Sequence, residues 1–311
     1  MIAIGIDIGG TSIKGAAVND KGHVFEVFSM PVEKGEDQET TIIKLRNLVK
    51  DYISSQKFDE EIVGIGMGIP GAIDSPRGIV SYSNNLKWRN LNVRELMKPL
   101  GYEVRITNDA NAAALGEARF GAGKDYRDIL MITLGTGVGG GIIIDRKLYE
   151  GNEGKGAELG HTIIKMGGRQ CSCGRKGCLE AYASATGLIA DAKIAMEKNK
   201  ETALWDLSRT GLNAKVIFDA AQAGDKVAIR LVKNYVKYLS EGLMNYFNIF
   251  RPEAVVLSGG IAKAGDYLIS KIKRYCKRNH YGYEGSPEVD ILVSKLGYDS
   301  GKIGAASLFF E

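Results

Sequence analysis

The chain has 311 residues, 44% apolar and 25% charged, a globular composition with material for two ordinary domains or one large one. Its 40 glycines against 6 prolines mean many tight turns and close backbone approaches, and no low-complexity block points to disorder. Lys and Arg exceed Asp and Glu only by 41 to 37, too little and too dispersed for a nucleic-acid surface, and no apolar run nears the ~20 residues of a membrane helix.

Residues 2–18 read as a strand, a Gly-Gly-Thr turn and a returning strand, without the basic start or cleavage site of a leader peptide. Residues 39–54 carry apolar side chains at 42, 45, 48, 49 and 52, the spacing of a helix with one buried face. A strand over 62–69 closes in Gly68-Ile-Pro-Gly71. Another, over 102–107, runs into Asn108-Asp109 and a helix over 110–120. Residues 129–144 then repeat the opening plan, with Gly135-Thr-Gly137 as the turn, about 125 residues later. One such hairpin is ordinary, whereas two predict duplicated domains whose turns face each other across a cleft. Residues 187–198 and 214–250 are predicted to be largely helical, and 254–257 a buried strand closed by Ser258-Gly-Gly260. A final helix over 301–310 is expected to pack back on the first domain. No Pro- or Ser-rich linker separates the halves, so the boundary is placed at a hinge. The first domain then spans 1–112 with the helix 301–311, and a larger domain spans 113–300 and includes a cysteine loop.

Glycines let backbone N–H groups converge on an anion with no Cβ in the way. Gly9, Gly10 and Thr11, with Lys14 beyond them, Thr136 and Gly137, and Gly259 and Gly260 are therefore candidate phosphate contacts, although any one of these turns alone is equally a plain hairpin. Asp7, ending the first strand, offers carboxylate oxygens to Mg²⁺ directly or through water. The G-x-x-x-x-G-K-[ST] pattern is absent, which excludes a P-loop. His161, Cys171, Cys173 and Cys178 make a full tetrahedral set for a structural Zn²⁺, with glycines at 167, 168, 174 and 177 to let the loop close; free thiols beside an unrelated histidine are the plainer alternative. Asp109 is the candidate base, at a strand end where open α/β sheets bind ligands, and an aspartate there also suits a helix N-cap. Glu158 and Glu180 bracket the cysteine loop and, with His161, could reach a ligand carrying several hydroxyls. Clustered cysteines without an export signal predict the cytoplasm; Cys276 stands alone as an expected buried thiol.

Asp7-Ile-Gly-Gly-Thr11, Asn108-Asp-Ala-Asn-Ala-Ala-Ala-Leu-Gly-Glu117, Leu134-Gly-Thr-Gly-Val-Gly-Gly-Gly141, Glu158-Leu-Gly-His161 and Cys171-Ser-Cys-Gly-Arg-Lys-Gly-Cys-Leu-Glu180 occur in order along the whole chain. Together they resemble the ROK family (repressors, open reading frames, kinases), and within it the bacterial glucokinases. The resemblance implies a two-domain α/β fold, actin/hexokinase-like (duplicated ribonuclease H-like), with an interdomain cleft that takes ATP and a sugar. It implies that Asp109 removes the proton from the C6 hydroxyl of glucose as that oxygen attacks the γ-phosphate, with Mg²⁺ at the phosphates and Zn²⁺ structural. By the same resemblance Gly9, Gly10, Thr11 and Lys14 line one side of the phosphates, Thr136 and Gly137 the other, and Gly259 and Gly260 lie near the adenosine. Asn84 or Asn85, Asn108, Glu158, His161 and Glu180 match the sugar contacts, and the loop at Gly71 bears on the room around the sugar's C2. An N-acetylmannosamine or N-acetylglucosamine kinase is the nearby alternative. A sugar-sensing repressor is a further one, disfavoured because the first strand starts at Ile2 and leaves no room for a DNA-binding domain. A homodimer or homotetramer is implied, with neither nucleic acid nor membrane as partner.

Overall fold

The computed structural model describes residues 1–282, 285 and 287–310; Glu311, the end of the expected last helix, lies outside them. In chain order, β1 Ile2–Ile8, β2 Ser12–Asn19 and β3 Val24–Pro31 lead to α1 Gln38–Ser55. Then come β4 Ile62–Ile69, β5 Ala72–Asp74, β6 Ile79–Ser83, β7 Trp88–Asn92, α2 Val93–Met97, β8 Val104–Asn108 and α3 Asp109–Phe120. Next are β9 Ile129–Leu134, β10 Val138–Ile144, β11 Lys147–Tyr149, α4 Glu180–Ala183, α5 Ala185–Lys198, α6 Leu204–Leu207 and α7 Ala214–Gln222. The chain closes with α8 Lys226–Phe250, β12 Ala254–Ser258, α9 Asp266–Asn279, β13 Asp290–Val293 and α10 Ser300–Ala306.

Two compact units result: Met1–Met131, Gly141–Ala157 and Lys295–Glu311 form one, Ile132–Gly140 and Glu158–Ser294 the other. The division therefore runs through β9 and β10. A cut at 112/113, as expected from the sequence, would fall inside α3. That helix stays whole in the first unit because α10 packs along it.

In the first unit the main sheet has the order β3-β2-β1-β4-β8, with β1 antiparallel to β2 and parallel to β4. β1 shows how the sequence builds it. Ile2, Ile4, Ile6 and Ile8 alternate onto one face and enter the core with Ile42, Leu45 and Val49 of α1. The other face carries Ala3, Gly5 and Asp7, and it receives α10 so closely that a Cβ on Gly5 would overlap the Lys302 carbonyl. β4 repeats the device, since a Cβ on Gly66 would overlap the Ala305 carbonyl. β5, β6 and β7 form a separate three-stranded sheet that the sequence reading did not anticipate.

The other five-stranded sheet has the order β11-β10-β9-β12-β13, with β10 antiparallel to β11 and β12 parallel to β13. Both sheets thus put an opening hairpin at one edge and parallel strands at the other, the duplication expected from the repeated turn. The helical stretch expected over 214–250 is broken at Gly224, whose φ is +97°. Asp225 then restarts the chain as α8 by accepting the N–H groups of Val227 at 2.9 Å and Ala228 at 2.8 Å. Among the described residues no helix is long and apolar enough to cross a membrane.

Candidate active site and metal centre

In the first unit, β8 hands over to α3 at Asn108. Its Oδ1 accepts the Ala110 N–H at 2.8 Å, and its Nδ2 donates to the Gly71 carbonyl at 3.0 Å. The N-cap is therefore Asn108 and not Asp109, which leaves Asp109 as the first helical residue. The Asp109 carboxylate accepts the Ala110 N–H at 3.0 Å, and burial raises its pKa. The N-terminal end of α3 favours negative charge and so opposes the effect of burial.

Asp7 lies near the end of β1, opposite Lys14 on β2 and Gly68 on β4. Burial and then the Asp109 charge push its pKa up to about 6, while Lys302 and Lys14 pull it back. Lys302 was not singled out from the sequence. It lies buried on α10 and is hydrogen-bonded to Asp299. Gly301 was missed as well: a Cβ there would stand 2.6 Å from the Asp7 carboxyl carbon, so the helix reaches Asp7 only because that residue has no side chain. A lysine and glycines in a short, small-residue helix were the only signal available. Glu150, also missed, accepts hydrogen bonds from Thr107 at 2.6 Å and Ser75 at 2.8 Å and so steadies the end of β8.

Gly9 to Thr11 form the tight turn between β1 and β2, closed by Gly9 N–H donating to the Ser12 carbonyl at 2.9 Å. Gly10 and Thr11 are exposed, as is Lys14. Asn84 and Asn85 are exposed too, and Asn84 Oδ1 accepts from Tyr82 and from Lys87, each at 3.1 Å. Gly71 adopts φ +127°, and a Cβ there would overlap the Tyr82 carbonyl, which explains glycine at this bend.

The second unit holds the other candidates. Gly135–Gly137 make the turn between β9 and β10, where Thr186 donates to the Thr136 carbonyl at 2.8 Å. A Cβ on Gly137 would overlap the Glu180 carboxylate, which accepts the Val138 N–H at 3.1 Å. Its other oxygen accepts from Ser172 at 2.9 Å. Glu180 therefore ties this turn to the cysteine loop. Gly259 (φ +89°) and Gly260 follow β12. Glu158 precedes the 3₁₀ turn Leu159–His161, whose Leu159 carbonyl accepts from Tyr246.

The ligand atoms of His161, Cys171, Cys173 and Cys178 all lie within 4.8 Å of one another. Cys173 and Cys178 sulfurs are 3.7 Å apart, and His161 Nδ1 is 3.6 Å from Cys171 Sγ. A tetrahedron with metal–sulfur bonds of ~2.3 Å and metal–nitrogen bonds of ~2.0 Å has edges of about 3.8 Å and about 3.5 Å, so the four residues fit a zinc-sized ion. Burial and the adjoining thiols push Cys178 up to about 12. Three thiols this close ionise together only around a strong positive charge, which a dication supplies. Gly177 (φ +89°) and Gly174 (φ +90°) turn the loop back on itself.

The ROK family model matches residues 3–311. A glucokinase of Halalkalibacterium halodurans is 36% identical, over 98% of this chain and 94% of its own. A xylose repressor of Bacillus spizizenii is 30% identical over 99% of this chain but only 77% of its own length. The crystal structure of a ROK family glucokinase from Streptomyces griseus in complex with glucose and AMPPNP is 33% identical, covers 99% of both chains and superposes with a TM-score of 0.81.

Proposed function

The chain belongs to the ROK family, and from that premise we propose that it is an ATP-dependent glucose kinase, converting glucose and ATP to glucose 6-phosphate and ADP. Its fold is the actin/hexokinase-like α/β fold. The observation that carries the chemistry is Asp109, a partly buried carboxylate held at the first position of a helix with its pKa raised. A base of this kind binds the sugar's O6 proton as the O6–phosphorus bond forms and the bond from phosphorus to the β,γ-bridging oxygen breaks. The proton leaves Asp109 for solvent once the products depart. General-base help contributes ~10²–10⁴-fold, and positioning supplies most of the rest.

Mg²⁺ arrives with ATP and neutralises charge on the phosphates. Asp7 offers it a hard oxygen ligand, and Lys14 and the Gly9–Thr11 turn offer donors to phosphate oxygens. Thr136 and Gly137 serve the phosphates too, with Gly259 and Gly260 by the nucleoside. Glu158, His161 and Asn108 hold sugar hydroxyls, joined by Asn84 or Asn85. Gly71 limits the room around C2. Glu180 joins the sugar contacts with the lone pairs left over from Val138 and Ser172. With Nδ1 in the cysteine cluster, His161 keeps Nε2 for the sugar, so zinc at His161, Cys171, Cys173 and Cys178 would orient a sugar contact without taking part in the reaction. Two further readings rest on indirect support. Reduced clustered thiols and ATP as donor fit the cytoplasm, and a homodimer or homotetramer would cover the exposed Ile194, Ile229 and Ile249.

The deciding experiment is ADP release from MgATP with glucose, N-acetylglucosamine and N-acetylmannosamine, using Asp109→Asn as the comparison. Glucose turnover is expected, with a loss of ~10²–10⁴-fold in the variant. Turnover with an N-acetylated sugar alone would move the substrate. No turnover with any of them would leave a sugar sensor.

A further inference from the structure

None of the candidate site residues lines a cavity of about 430 Å³ at the C-terminal end of α3. It is lined by Met1, Asp20, Ala118, Arg119, Phe120, Tyr126, Arg146 and Phe310. Arg119 is the residue that needs an explanation. Its guanidinium is half-buried, its Nε is shielded from solvent, and that nitrogen has no hydrogen-bond partner among the described residues. Burial lowers its pKa. The only carboxylate on the wall, Asp20, faces the Met1 amine at 3.3 Å. A cation in the last turn of α3 does complement the helix dipole, but an exposed arginine would serve as well and would keep its hydration. Native proteins seldom leave a shielded guanidinium nitrogen without an acceptor.

A second guanidinium, Arg146, borders the same space, with one bond of 3.4 Å to the Lys124 carbonyl. Phe120 and Phe310, edge to face at 6.4 Å, supply an apolar wall. We propose that this cavity binds a small metabolite bearing an oxyanion, a phosphate ester or a carboxylate, on Arg119 and Arg146, with its carbon body against Phe120 and Phe310. The volume lies within the usual range for small-molecule sites, and the planar guanidinium fork matches both kinds of oxyanion. Ten residues of helix, about 15 Å, separate Arg119 from Asp109, so this is a second site on α3 and does not depend on the kinase reading.

Calorimetric titration of the whole protein with inorganic phosphate and, separately, with citrate tests the proposal, comparing wild type, Arg119→Met and Arg146→Gln. Any binding elsewhere is common to all three proteins and cancels in the comparison. At least one anion is expected to bind tenfold or more weakly to Arg119→Met and several-fold more weakly to Arg146→Gln. A loss confined to phosphate identifies a phosphate ester as the ligand class, and one confined to citrate a carboxylate. If Arg119→Met does not fold, the exposed Arg146→Gln carries the test. Equal binding of both anions by wild type and the folded variants overturns the proposal.

Discussion

In the first unit the charge of Asp109 makes Asp7 harder to ionise. Asp7 titrates near 6 because burial and the Asp109 charge outweigh the pull of Lys302 and Lys14. The unfolded chain releases that proton near 3.8, the ordinary value for an aspartate. Between about pH 4 and 6 the folded protein therefore binds more protons than the unfolded one, so stability falls as pH rises through this window. A two-unit shift corresponds to about 3 kcal/mol. Asp7→Asn is expected to be more stable than wild type at pH 7 by about 1–3 kcal/mol and to lose much of that pH slope, while turnover drops with the carboxylate. Denaturant unfolding at pH 4, 5, 6 and 7 checks it; identical slopes in the two proteins would sink the idea. The place of Asp109 at a strand-to-helix junction was legible in the sequence because a strand end and an alanine-rich helix follow one another directly. Lys302 and Gly301 were not, because they come to Asp7 from the far end of the chain.

At the scale of elements, the first unit is built by alternation. Isoleucines on one face of β1 fill the core against α1, and small residues on the other admit α10. The period of two was visible, so the strands were predictable; what fills the small face was not, since its partner lies nearly three hundred residues away. The same interlock joins α3 to α10, where a Cβ on Gly304 would overlap the Ala112 carbonyl and one on Gly116 would stand 2.6 Å from the Ser300 carbonyl. Backbone cannot yield as a flexible side chain would. Gly304→Val is expected to destabilise the protein by about 3 kcal/mol or more, against well under 1 kcal/mol for Gly10→Ala, whose Cβ would meet open space. Chemical denaturation of the two variants measures this, and a small effect at Gly304 would mean the helices can move apart. Glu117, wholly buried, is a tie of another kind. It accepts the N–H groups of Ala122 at 2.7 Å and Leu296 at 2.8 Å, and so fastens the chain where it re-enters the first unit. Nothing in a lone Glu in a helix announces that.

Over the whole molecule, two sheets of like topology are completed by different means. The first unit relies on interlocked small residues, whereas the second has a glycine-containing loop around four clustered side chains that could hold a metal ion. The repeated Gly-Thr turn made the duplication readable, and the C-x-C-x4-C spacing made the loop readable. Where the chain crosses from unit to unit was not, because β9 and β10 are divided mid-strand and no composition shift marks the place. All four residues of the His/Cys cluster belong to the second unit, and Glu180 links the cysteine loop to the β9–β10 turn through Ser172 and Val138. Metal loss should therefore act on one unit and spare the other's core. Cys173→Ser, or chelation of the wild type, is expected to remove one bound zinc per chain and to cut glucose turnover at least tenfold. Amide protection along β1 and β4 should stay as it was. Cys276→Ser, at a buried thiol outside the cluster, should keep the zinc. Elemental analysis, turnover and hydrogen exchange on the same preparations decide the matter. A zinc-free, fully active wild type would remove the metal site, and lost protection in β1 would mean that the two cores do not stand independently.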